Sequence, residues 1–116
     1  GSLREFSGGY LVVRYTSENS GALQRIEAEG LSVSAEAAEN VFPGSRVLIE
    51  QSRIYAVIEN GETWQVGRFD EELQLQAVSA VDVTSATFLY GDSEIVIVQL
   101  ETGGFEVLDA RTLESL

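Results

Sequence analysis

VLIEQSRIYAVIEN (residues 47–60) and FLYGDSEIVIVQLE (residues 88–101) pair most of their apolar positions without a gap at a separation of 41 residues. In both, a short apolar run leads to a turn ending in Ser52 or Ser93, then a charged residue, Arg53 or Glu94, then the most hydrophobic strand of the segment. RIEAEGLSVSA (25–35) and RFDEELQLQA (68–77) form a second pair once Gly30 is treated as an insertion. Each has Arg, an apolar residue and an acid, followed by the alternation Leu31-Ser-Val33-Ser-Ala35 or Leu73-Gln-Leu75-Gln-Ala77, the pattern of a strand with one buried face. The chain therefore divides into units of about 41 residues, at roughly 3–46, 47–87 and 88–116.

Within a unit the runs are short, β-branched and aromatic, and bounded by Gly, Asn, Ser or Asp, as in Tyr10-Leu11-Val12-Val13 and Ile95-Val96-Ile97-Val98. The one helix-friendly stretch, SAEAAEN (34–40), is too short to stand as a helix. Hairpin turns fall at Glu18-Asn19-Ser20-Gly21, Glu59-Asn60-Gly61-Glu62 and Glu101-Thr102-Gly103-Gly104. The reading is an all-β domain of antiparallel β-meander repeats. Four strands per 40 to 45 residues is the spacing of propeller blades, and a blade buries its faces only by stacking on neighbours. Three units are too few to close a ring, so the expected forms are a partial propeller, a propeller completed by a second chain, or a β-sandwich or semi-open barrel. Unpaired terminal strands predict self-association and a homo-oligomer.

EIVIVQLETGGFEVLDARTLESL (94–116) resembles the degenerate blades of quinoprotein-type and YVTN-type β-propellers, in which a glycine hairpin and a second strand lead into a Leu-Asp-x-x-Thr turn. Here that turn is Leu108-Asp109-Ala110-Arg111-Thr112, with Asp109 and Thr112 placed to hydrogen-bond its backbone. The second unit departs from the pattern with Arg68-Phe69-Asp70-Glu71-Glu72. The order IYAVIENGETWQVGRFDEEL followed by VLDARTL is also similar to the C-terminal region of the spirochaete eighty-three/hundred-kilodalton antigens. That resemblance implies a bacterial periplasmic or extracellular setting. Gly1-Ser2 reads as the scar of a cleaved tag, and the absence of methionine as excision from a longer protein.

Composition removes whole classes of chemistry. The chain has no histidine, lysine or cysteine, which excludes Ser-His-Asp triads, Cys-His dyads, Schiff bases, P-loop lysines, disulfides and ordinary zinc sites within it. Nineteen acids against seven arginines give a net charge of −12, which repels nucleic acid and anionic lipid. No apolar run approaches the roughly 20 residues of a membrane-spanning helix. Carboxylates are the remaining catalytic currency, at Asp70-Glu71-Glu72, Asp82, Asp92 and Glu94. No calcium-loop spacing is present, and acids in turns ordinarily serve solubility. The expected role is a non-catalytic protein-interaction or assembly module without a cofactor. Its partner would be another protein, met at an open strand edge or through Trp64, Arg68, Asp70, Arg53 and Tyr55. Tyr15 and Tyr90, with Arg14 and Arg46, extend that candidate surface. A carbohydrate-binding or carbohydrate-cleaving domain, with Trp64 as stacking platform and Asp70 or Glu72 as acid, is the alternative. Against Trp64 as a site stands its alignment with Phe105, which makes a large aromatic after the hairpin a repeated packing feature.

Overall fold

The computed structural model describes residues 3–116, so Gly1-Ser2 and the tag reading lie outside it. It contains eleven strands and no helix: β1 (Leu3–Phe6), β2 (Gly9–Tyr15), β3 (Gly21–Glu27), β4 (Val33–Val41), β5 (Leu48–Glu50), β6 (Arg53–Asn60), β7 (Thr63–Phe69), β8 (Leu75–Val78), β9 (Tyr90–Gly91), β10 (Ile95–Gln99) and β11 (Phe105–Asp109). All named pairings are antiparallel. The SAEAAEN stretch is strand, inside β4. Strands β1–β4, β5–β8 and β9–β11 form three successive meanders, and the sheets do not close on themselves.

The meanders stack face to face. One core joins the first and second, through Leu11, Val13 and Leu23 against Ile54, Ala56, Ile58, Phe69 and Leu73. A second core joins the second and third, through Tyr55, Val57 and Val66 against Val96, Val98, Leu108 and Leu113. Each later unit thus lays a leading face on the trailing face of the unit before it. Strand β6 serves both cores, and its residues from Ile54 to Ile58 are all buried. This is why RIYAVIEN shows no period-two alternation, whereas β2 and β10 alternate in burial.

The chain passes between units along a single bent path. Val41 pairs with Ile58, Phe42 N–H donates to Val57 O at 3.0 Å, and after the turn at Pro43-Gly44 the backbone rejoins β6 at Leu48. In the gap Ser45 Oγ accepts from Val57 N–H at 2.9 Å and donates to Arg46 O at 2.9 Å. The next crossing repeats this: Thr84 N–H donates to Gln99 O, Thr87 Oγ1 accepts from Gln99 N–H at 2.7 Å, and it donates to Phe88 O at 2.8 Å. Both hydroxyls are buried. They satisfy an N–H that would otherwise be orphaned where the ladder opens.

These hydrogen bonds correct the 41-residue pairing. Leu48 pairs with Tyr55 and Tyr90 with Ile97, so the repeat over the first two strands is 42 residues. The hairpin of the third unit is shorter, and its second strand is offset by 39, with Val57–Val66 answered by Gln99–Phe105. Ile54 therefore corresponds to Val96 rather than Ile95, Val57 to Gln99 rather than Val98, Val66 to Phe105 rather than Val107, and Trp64 has no counterpart in Phe105. A one-residue shift exchanges the two faces of a strand.

Leu31 and Leu73 are turn residues, since β4 and β8 begin two residues later than the alternation suggested. Each closes a turn in which Glu27, Asp70 or Asp109 donates its N–H to the carbonyl of Ser32, Gln74 or Glu114. Immediately before that carbonyl stands a leucine at positive φ: Leu31 at 54°, Leu73 at 60°, Leu113 at 61°. This left-handed conformation costs an L-residue about 1–2 kcal/mol. Leu73 and Leu113 are each 1% exposed, packed on the preceding unit, so burial outweighs the strain. Leu31 is 67% exposed and has no such return. Replacing Leu73 or Leu113 with Gly should therefore cost about 2–4 kcal/mol net, from the lost packing, while Leu31→Gly should be neutral or stabilise by up to about 1 kcal/mol. Urea melts at micromolar protein check this, and equal losses at all three positions would contradict the solvent-exposed placement of Leu31.

Candidate functional site

The five residues singled out in the sequence do not converge. Tyr55 is fully buried between the second and third units, where its hydroxyl donates to Ala110 O at 2.6 Å. Arg68 is its cross-strand neighbour on the same face, with Nε buried and without a partner. Arg53 donates to Ser93 O at 3.1 Å and ties the start of β6 to the turn before β10. Trp64 lies at the opposite end of β7, half-buried, with its ring edge-to-face against Phe42 at 5.2 Å and its backbone bridged to Val83. Asp70 sits in the turn after β7, where its carboxylate accepts from Glu72 N–H at 2.9 Å, Gln74 N–H at 3.0 Å and Gln76 Nε2 at 3.3 Å. Four of these side chains hold one unit to the next or shape that contact, and the fifth shapes a turn. Trp64 is half-buried and packs against the second inter-unit core.

The acids are dispersed among separate turns, and among the described residues no group of three or more acids is placed to hold a metal ion. Thr112 and Arg111 N–H groups hold the carboxyl of Asp109 below the usual aspartate range, as Glu94 and Ile95 N–H groups do for Asp92. A lowered pKa contributes stability that is present above about 3.8 and is lost as pH falls through the lowered value, so acid loosens both turns. The Leu-Asp-x-x-Thr turn expected from the sequence has this geometry, with Asp109 Oδ1 accepting from Arg111 at 2.8 Å and Thr112 at 2.9 Å.

The accessible chemistry lies instead on the trailing face of the third unit. Phe88, Tyr90, Ile97 and Phe105, with Arg46 at the margin, line a shallow concavity of 650 Å³. Tyr90 is 69% and Phe105 68% exposed, and the rings of Phe88 and Phe105 stand 5.8 Å apart. Register places this surface without ambiguity. Ile97 and Phe105 stand where Tyr55 and Val66 stand in the second unit, and there the third unit covers them. The open edge expected at the last strand is closed by the chain's own end, since Leu116 N–H donates to Val107 O and Asp109 N–H to Glu114 O. Tyr90 and Arg46 were candidates from composition alone. Ile97 carries a signal in the continuous apolarity of Ile95 to Val98, which resembles that of the doubly buried RIYAVIEN, whereas nothing local marks Phe88 and Phe105 as exposed.

No protein-family model and no curated protein matches this sequence.

Burial raises the pKa of the Tyr55 phenol above 10, a shift only partly opposed by Arg53 and Arg68. A raised pKa means the folded state holds the proton more tightly, so this contribution is complete below pH 10 and is lost as pH rises through the folded value. Tyr55→Phe should cost about 1–3 kcal/mol at neutral pH, because the buried Ala110 carbonyl loses its donor, and should flatten the alkaline limb of the stability profile. Thermal melts from neutral pH into the alkaline range measure both effects. An unchanged neutral stability would place Tyr55 outside the inter-unit contact.

Proposed function

We propose that this domain is a non-catalytic protein-interaction module whose contact surface is the trailing face of its third unit. The observation that carries this reading is the exposure of Tyr90 on β9 and Phe105 on β11, together with Phe88 just before β9, beside Arg46. Aromatic residues and arginine are the types enriched where proteins bury a contact, since they supply large area at low cost in side-chain freedom. Contiguous exposed apolar surface on a soluble domain marks an interaction site. The chain has no histidine, lysine or cysteine, and its perturbed carboxylates are explained by turn hydrogen bonds. Recognition is through side chains on a face, because the β11 edge is already paired.

Tyr90→Asp combined with Phe105→Glu should abolish protein binding while leaving the melting transition nearly unchanged, since surface substitutions cost about 0.5 kcal/mol or less each. Panning immobilised chain against displayed peptides and small β domains, with the double variant as comparator, tests this. Binders that discriminate against the variant are expected. Binders that ignore the double substitution would overturn the assignment of the surface.

A further inference from the structure

We infer that the partner on this face is a second copy of the same chain, joined head to tail, with the leading face of its first unit seated on the trailing face of the third. The inference rests on the association-module reading above and names its partner. Its basis is an interface the chain already builds twice, between the first and second units and between the second and third. Among the described residues, no unit covers either half of that interface at the two ends of the stack.

The correspondence is residue by residue. On the leading side, the register and the shared turn align Tyr10 with Ile54 and Val96, Ile26 with Phe69 and Leu108, and Leu31 with Leu73 and Leu113. Every second- and third-unit member of these sets is buried against the preceding unit. Leu31 keeps the same left-handed backbone as Leu73 and Leu113 but projects into solvent. Leu3, paired with Val12, and Val33, paired with Ile26, lie on the same face and are also exposed. On the trailing side, Tyr90, Ile97 and Phe105 stand where Leu48, half-buried, and Tyr55 and Val66, fully buried, pack against the third unit.

Seven of the ten exposed large hydrophobic residues therefore sit on these two faces: Leu3, Leu31 and Val33 at one, Phe88, Tyr90, Phe105 and Val107 at the other. Leading-on-trailing is the only pairing mode with a precedent inside the chain. Such a heterologous contact closes into a ring where the rotation permits, and two copies joined at both ends would hold six units, within the usual range for closed β-meander rings. The net charge of −12 opposes the union of two copies. Screening by salt should therefore strengthen it, the reverse of an ionic contact.

Light scattering and sedimentation of the intact chain test the inference. The wild type should associate in physiological salt and weaken at low salt. Leu31→Glu at the leading face and Phe105→Glu at the trailing face should each weaken self-association more than about tenfold, with melting transitions retained. An equimolar mixture of the two variants should regain a one-to-one pair, because one intact leading face then meets one intact trailing face. A wild type that stays monomeric at high micromolar concentration overturns the inference, and so does a Leu31→Glu variant that dimerises as well as wild type, which would indicate pairing of trailing faces. If the monomeric wild type still yields face-specific binders in the panning experiment, self-pairing fails while the association-module reading stands.

Discussion

Strand β6 is buried on both faces, and the remaining organisation follows from that constraint. Ile54, Ala56 and Ile58 pack into one core and Tyr55 and Val57 into the other, so a single strand fixes the first unit on one side and the third on the other. A fully buried aliphatic or aromatic side chain contributes about 1.5–3 kcal/mol, and the middle hairpin concentrates these contributions. No unit could bury as much alone. The outer hairpins each have one covered face, and the difference appears as alternation in β2 and β10 and its absence in β6.

Holding two faces at once requires the connecting chain to leave one sheet and enter the next without stranding buried amides. Ser45 and Thr87 solve this at equivalent places, each hydroxyl accepting from the N–H that the departing strand no longer serves. Ser79 does the same for Val66 N–H at 3.0 Å within the second unit. Left-handed leucines do the complementary work on the leading faces, where a glycine would relieve the backbone but leave the neighbouring unit unfilled. Strain and buried polarity recur at equivalent positions because the unit interface recurs.

Much of this was legible in the amino acids. The β class, the meander units, a hairpin within Glu59-Asn60-Gly61-Glu62, whose loop residues are Gly61 and Glu62, and the Asp109 turn all rest on local patterns that tertiary contacts did not override. The register was not, because VLIEQSRIYAVIEN and FLYGDSEIVIVQLE carry apolar residues on both parities and align nearly as well one residue apart. What sets the register is Ser45 and Thr87, two small polar residues whose role exists only once the strands are paired. Trp64 and Tyr55 looked exceptional in sequence, yet they are packing residues between units, while Phe105 looked like packing and is exposed. Phe105 is exposed and Ile97 half-buried because no described strand covers that face, which no local pattern encodes.

Native-state hydrogen exchange tests the central claim most directly, because each interface protects the amides beneath it according to the free energy of opening. If the middle hairpin is clamped from both sides, β6 and β7 amides should exchange last and only through global unfolding, with β2 and β10 amides released earlier by separation of an outer unit. Exchange in β6 at or before that of β10 would contradict the stacked arrangement in which the second unit holds the other two.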